Sequence, residues 1–250
     1  MKYESQSWDA NISSAEKSFR SFISNDPALI YFLETGTLRK NAKFAKEEIY
    51  KDPAFLAFIS PYFETVYADA VIQCFQTKNT NLISDIAMNP VLLTDAYRQH
   101  AVSKILAYLE EKKKRLVSLT NQAQLGGAFP VVEAEDYIGI MVISVLNYLP
   151  MEFQSFRTAY ATEIIKMARG QLGHDLQRAL TIMDNVRQLK CDSHVAADAN
   201  ALYKQLDEAN TKIQVAANAA ADSGSSGGNI WVIISVILVI LRIILYVARH

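Results

Sequence analysis

Cys191 and His194 form a C-x-x-H pair, the beginning of a zinc-ligand set. A stable tetrahedral site takes four ligands, and no second pair of matching spacing occurs, so no metal is expected. The other histidines, His100, His174 and His250, lack metalloprotease spacing. Gly170 and Gly173 bracket "GQLG" inside a helical pattern, whereas a phosphate loop joins a strand to a helix. Glu133, Glu135 and Asp136 could exchange protons, but acidic residues leading into an apolar run are first of all helix-start residues. No P-loop, dinucleotide fingerprint or G-x-S-x-G is present. The residues therefore predict a non-catalytic chain without a cofactor.

The strongest chemical signal is apolar. From Ile230 to Ala248 run nineteen residues, fourteen of them Ile, Leu or Val. At about 1.5 Å per residue they reach roughly 28 Å, close to the ~30 Å of hydrocarbon in a bilayer. Each such residue contributes about −0.3 to −0.6 kcal/mol to insertion, against roughly +2.5 to +3.5 for one Arg. The apolar sum outweighs Arg242, and residues 229–249 are expected to span a membrane. Two roles for Arg242 compete. The guanidinium can snorkel to the nearer interface, the simpler account. Alternatively Ser235, Arg242 and Arg249, recurring every seven residues, form a face for another membrane helix.

The elements that would position this anchor read as helical nearly throughout. Nine Gly and six Pro among 250 residues are few for a chain of strands and tight turns. Three segments open alike: "NDPALIYFLE", "KDPAFLAFIS" and "MNPVLLTDAY". In each, Asp26, Asp52 or Asn89 is placed at an N-cap and Pro27, Pro53 or Pro90 at the first helical position. Shared capping chemistry explains this better than a repeat architecture.

The helix after Asp52 carries Phe55, Phe58, Ile59, Tyr62, Phe63, Val66, Tyr67, Ala70, Cys74 and Phe75, a stripe too wide for one neighbour, so this helix is expected to be central. Pro61 is expected to kink or divide it. Val91 to about Leu119 is an amphipathic run ending near "EEKKKR". Its Lys112, Lys113, Lys114 and Arg115 read as a solvated face with local charge pairs, or alternatively as a patch for anionic lipid headgroups. "LGGAFP" marks a break near 125–130, and "YIGIMVISVLNYLP" reads as a buried core helix, with a buried strand as the other reading. From Val195, apolar residues alternate four and three apart through Leu202, Leu206 and Ile213, a coiled-coil seam. It suits a helical hairpin within the bundle, or a partner helix.

The expected architecture is all-α: a helical bundle over 1–220, with a sub-boundary near 125–130 and a long C-terminal helical hairpin, a flexible linker over 221–228, and one transmembrane helix. The linker has a reach of about 15 Å. The early residues "MKYESQSWDANISSAEKSFR" lack a secretory apolar core, and only Cys74 and Cys191 are present, so the bundle is expected in the cytosol. A net charge of −1 with no basic region argues against nucleic acid. The expected function is a membrane-tethered adaptor or scaffold acting on a protein partner or a second copy of itself. A membrane-remodelling or pore-forming bundle is the alternative, and a helical enzyme with dispersed catalytic residues a further one.

Overall fold

A computed structural model describes residue 3 and residues 13–45, 48–125, 130–172 and 174–222, with side chains to 218. The described residues form helices and contain no strand, in agreement with the all-helical expectation. The expected linker and membrane helix, with Ser235, Arg242 and Arg249, lie outside them. The described residues pack as two compact units, one drawn from 3–112 and 144–153, the other from 113–143 and 154–222.

The first unit holds α1 (Ser14–Ser24), α2 (Pro27–Thr35), α3 (Pro53–Thr77) and α4 (Thr80–Ala87), with residues from α5 (Asp95–Gln124) and α7 (Ile140–Tyr148). Local chemistry sets the helix starts. Ser13 and Glu16 form a reciprocal capping box on α1. Asp26 and Asp52 cap α2 and α3 with proline at the first helical position, as expected. Gly36 ends α2 at φ 68°, and its N–H donates to the Phe32 carbonyl at 2.8 Å.

As its aromatic stripe predicts, α3 is central, packing against α1, α2, α4 and the 3-10 turn Glu48–Lys51. It buries Phe55, Ile59, Phe63, Tyr67, Val71 and Cys74. Phe63 meets Phe32, Phe44 and Tyr67 at centroid distances of 5.5, 6.2 and 5.9 Å. Pro61 does not divide it: α3 continues to Thr77, and Ser60 Oγ donates to the Leu56 carbonyl at 2.6 Å.

The third proline start is corrected. Residues 90–94 are not helical, and α5 begins at Asp95. Asn89 is buried, with its side chain committed elsewhere. Its Oδ1 accepts from Phe44 N–H at 2.7 Å, and its Nδ2 donates to the carbonyls of Ala42 and Asp85. An amide holding a distant strand of backbone cannot also cap the helix that follows.

The second unit contains the C-terminal part of α5, α6 (Val131–Ile138), the start of α7, α8 (Gln154–Gln171), α9 (Leu176–Val186) and α10 (Ser193–Asp222). The segment "YIGIMVISVLNYLP" is helical, but α6 ends at Ile138 and α7 begins at Ile140. At Gly139 between them, an added Cβ would lie 2.6 Å from the Glu135 carbonyl oxygen. Here α9 packs against both α8 and α10. The pair α9–α10 is a hairpin of unequal arms, 11 and 30 residues long.

Candidate functional site

Three regions carry the expected site residues: the α10 seam, the basic run and the Cys191–His194 pair. In the seam, Ala199, Leu202, Leu206 and Ala209 are buried, whereas Ile213 and Ala216 are half-buried and Val215 is 62 % exposed. Packing within the chain therefore covers the seam as far as Ala209. Polar contacts fix the register of α10. Arg169 Nη2 of α8 meets both Asp198 carboxylate oxygens at 3.0 and 3.2 Å, and the Arg187 guanidinium lies 4.0 Å from the Tyr203 ring centre.

The basic run makes contacts within the molecule while Lys114 and Arg115 stay exposed. Arg115 Nη2 donates to Glu133 Oε2 at 2.8 Å and Nε to Oε1 at 2.5 Å, a bidentate pair linking α5 to α6. The Arg115 hydrogen bonds hold the Glu133 carboxyl below its ordinary value of 4.5. Lys113 Nζ sits 5.5 Å from the Phe156 ring centre, and Lys112 Nζ 5.9 Å from that of Tyr108. Lys112, Lys113 and Lys114 all have partners in the molecule. The solvated-face reading with local pairs thus has a tertiary version, in which Glu133, an expected helix-start acid, is the carboxylate that receives Arg115.

Cys191 lies in the connection from α9 to α10, which is tied to α8. Arg157 Nε donates to the Lys190 carbonyl at 2.7 Å, Asp192 N–H to Thr158 Oγ1 at 3.0 Å, and Gln154 Nε2 to Asp192 Oδ1 at 2.6 Å. Burial first, then the Asp192 charge, pushes the Cys191 thiol above its ordinary value. His194 is exposed on the first turn of α10. Burial raises the Cys74 thiol to about 12. Neither thiol is in the electropositive setting that activates a nucleophile. Among the described residues, no group of three or more His, Cys, Asp or Glu is placed to hold a metal ion.

One concavity had no signal in the sequence. A groove of about 330 Å³ between α6 and α9 is lined by Val131, Ala134, Ile138 and Ile182, with Glu135 and Arg178 on its walls. It arises because Gly139 stops α6 and Asn185 Nδ2 donates to the Ile138 carbonyl at 3.2 Å, fixing the helix end to α9. Arg178 is already paired with Asp175 at 3.3 Å. The lining offers shape and apolar surface but no nucleophile–base arrangement.

By length and composition alone, α3 is the one helix among the described residues long and apolar enough to cross a membrane. The same helix supplies the aromatic core of the first unit. Comparisons with family models, with curated proteins and with solved structures give no match, so the functional reading rests on the residues of this chain.

Proposed function

We propose that this chain is a non-catalytic, membrane-tethered helical adaptor whose bundle recruits or organises protein partners at a bilayer surface. The observation carrying this reading is the composition of Ile230–Ala248, where fourteen Ile, Leu and Val residues outweigh Arg242 by several kcal/mol on the insertion scale. The unpaired thiols Cys74 and Cys191 support a reducing compartment for the bundle, and hence its cytosolic side. The half-covered end of the α10 seam, Ile213 and Ala216, offers a surface for a partner helix or a second copy.

Carbonate extraction of cell membranes tests the tether. The intact chain should stay in the pellet, and a chain ending at Ala221 should be released. Release of both would end the proposal. Crosslinking the two forms in native membranes then sorts partners into those held by the bundle and those held by the membrane segment. Replacing Arg242 by Leu should weaken the second group if the guanidinium meets another membrane helix, and leave it intact if it snorkels.

A membrane-remodelling bundle is the second reading, favoured by the length and hydropathy of α3. Release of dye from liposomes by the chain ending at Ala221 would support it, because an adaptor leaves vesicles intact.

A further inference from the structure

Between α2 and the 3-10 turn at Glu48, residues 36–45 contain no carboxylate and carry Arg39, Lys40 and Lys43, all exposed. The backbone of this stretch is held at several points. Ala42 N–H donates to the Arg39 carbonyl at 2.9 Å, closing a turn with Asn41 at φ 61° in its third position. That geometry belongs to a type II turn, where Asn is among the few side chains tolerated.

Three buried side chains fix the turn from below. Asp85 Oδ1 accepts from Asn41 N–H at 3.1 Å, Asn89 Oδ1 from Phe44 N–H at 2.7 Å, and Asp26 Oδ2 from Ala45 N–H at 2.7 Å. Phe44 is buried against Phe32 and Phe63. The inward groups are thus consumed, and the three cations are left on the outside of a fixed loop. Among the described residues no carboxylate pairs with Arg39, Lys40 or Lys43; Arg39 lies 5.4 Å from the Tyr31 ring centre. This is the reverse of Lys112–Arg115, whose charges are engaged within the molecule.

We propose that the Arg39–Lys43 turn is the face by which the bundle docks on anionic lipid headgroups. The inference rests on the tether reading, which holds the bundle within reach of a bilayer. A membrane fits the geometry better than an acidic peptide does. A cavity of about 10 Å³ beside the turn is lined by Leu38, Phe44 and core residues and by none of the three cations, so it offers an acidic peptide no charged seat, whereas a planar field of phosphates needs no concavity. Each cation near an anionic surface strengthens the docked state about five-fold, so three give on the order of a hundred-fold.

The test uses the full chain in vesicles of phosphatidylcholine, with and without a minority of phosphatidylserine. Amine acetylation is read residue by residue by mass spectrometry. Lys40 and Lys43 should be acetylated several-fold more slowly when phosphatidylserine is present. The protection should vanish at about 1 M salt, where the screening length falls to ~3 Å. A variant combining Arg39→Gln, Lys40→Gln and Lys43→Gln, with unchanged helical content, should lose salt-sensitive, phosphatidylserine-dependent docking of the bundle. Equal acetylation with and without phosphatidylserine overturns the docking proposal. Protection by soluble polyglutamate but not by phosphatidylserine also overturns it, in favour of an acidic polypeptide. A chain that washes off phosphatidylcholine in carbonate, yet binds phosphatidylserine through these three cations, sinks the tether alone.

Discussion

Asp26 and Asp52 pose a controlled experiment within one molecule. Both begin a D-P-A sequence, and each caps the helix that follows: Asp26 Oδ1 accepts from Ala28 and Leu29 N–H, and Asp52 Oδ1 from Ala54 N–H. There the likeness ends. Asp52 is exposed, whereas Asp26 is 2 % exposed, and its second oxygen accepts from Ala45 N–H at 2.7 Å and the Tyr50 hydroxyl at 2.8 Å. Losing an N-cap costs about 1 kcal/mol. Each interior donor deprived of its acceptor adds about 1–3 kcal/mol. Asp52→Ala should therefore cost about 1 kcal/mol, and Asp26→Ala, with two such donors stranded, about 3–7. Urea unfolding of the full chain in mild detergent, followed by far-ultraviolet circular dichroism, would measure both. Equal losses near 1 kcal/mol would refute the clamp and leave Asp26 as an ordinary cap. A large loss confined to Asp52→Ala would refute the burial argument altogether.

Other substitutions probe the second unit. An added Cβ at Gly170 would lie 3.1 Å from Gln124 backbone nitrogen and 3.2 Å from the Ala123 carbonyl carbon. Gly170→Ala should thus fail to deliver the usual helix gain of up to about 1 kcal/mol and should lower stability by roughly that amount; a stabilised variant in chemical denaturation would disprove the close approach of α5 and α8. Along α10, Leu206→Ala should cost about 2–5 kcal/mol and Ile213→Ala clearly less, because Leu206 is buried and Ile213 only half-buried. Equal costs would mean that the seam is covered along its whole length. Glu133→Gln removes a carboxyl whose folded pKa is depressed, so its stabilising effect is complete above 4.5 and is lost as pH falls through the lower folded value. The difference in melting temperature between wild type and variant should accordingly shrink on acidification below that value; a difference that grew would reverse the sign of the argument.

The all-helical class was legible because it follows from short-range facts. The caps at Asp26 and Asp52 lie within three residues of their acceptors' partners, and the apolar residues of α3 repeat along a single helix. Asn89 was misread on the same local logic. Its decisive partners are the backbone of Ala42 and Phe44, more than forty positions away in the chain. The basic charges illustrate the point in both directions. Lys112–Arg115 stood out as a run, yet Glu133 on another helix takes up Arg115. Arg39, Lys40 and Lys43 did not stand out, because only the clamp beneath them separates a fixed set of cations, without a carboxylate partner among the described residues, from an ordinary polar loop.

By itself the sequence determined the helical class, the capped starts at Asp26 and Asp52, the centrality of α3, and the strongly apolar composition of Ile230–Ala248. Tertiary structure alone decided which polar side chains are spent inside and which charges are left exposed. Hydrogen bonds within a turn are written in neighbouring residues. The acceptors of Asn41, Phe44 and Ala45 become available only when α2, α4 and the segment after it close around the same loop.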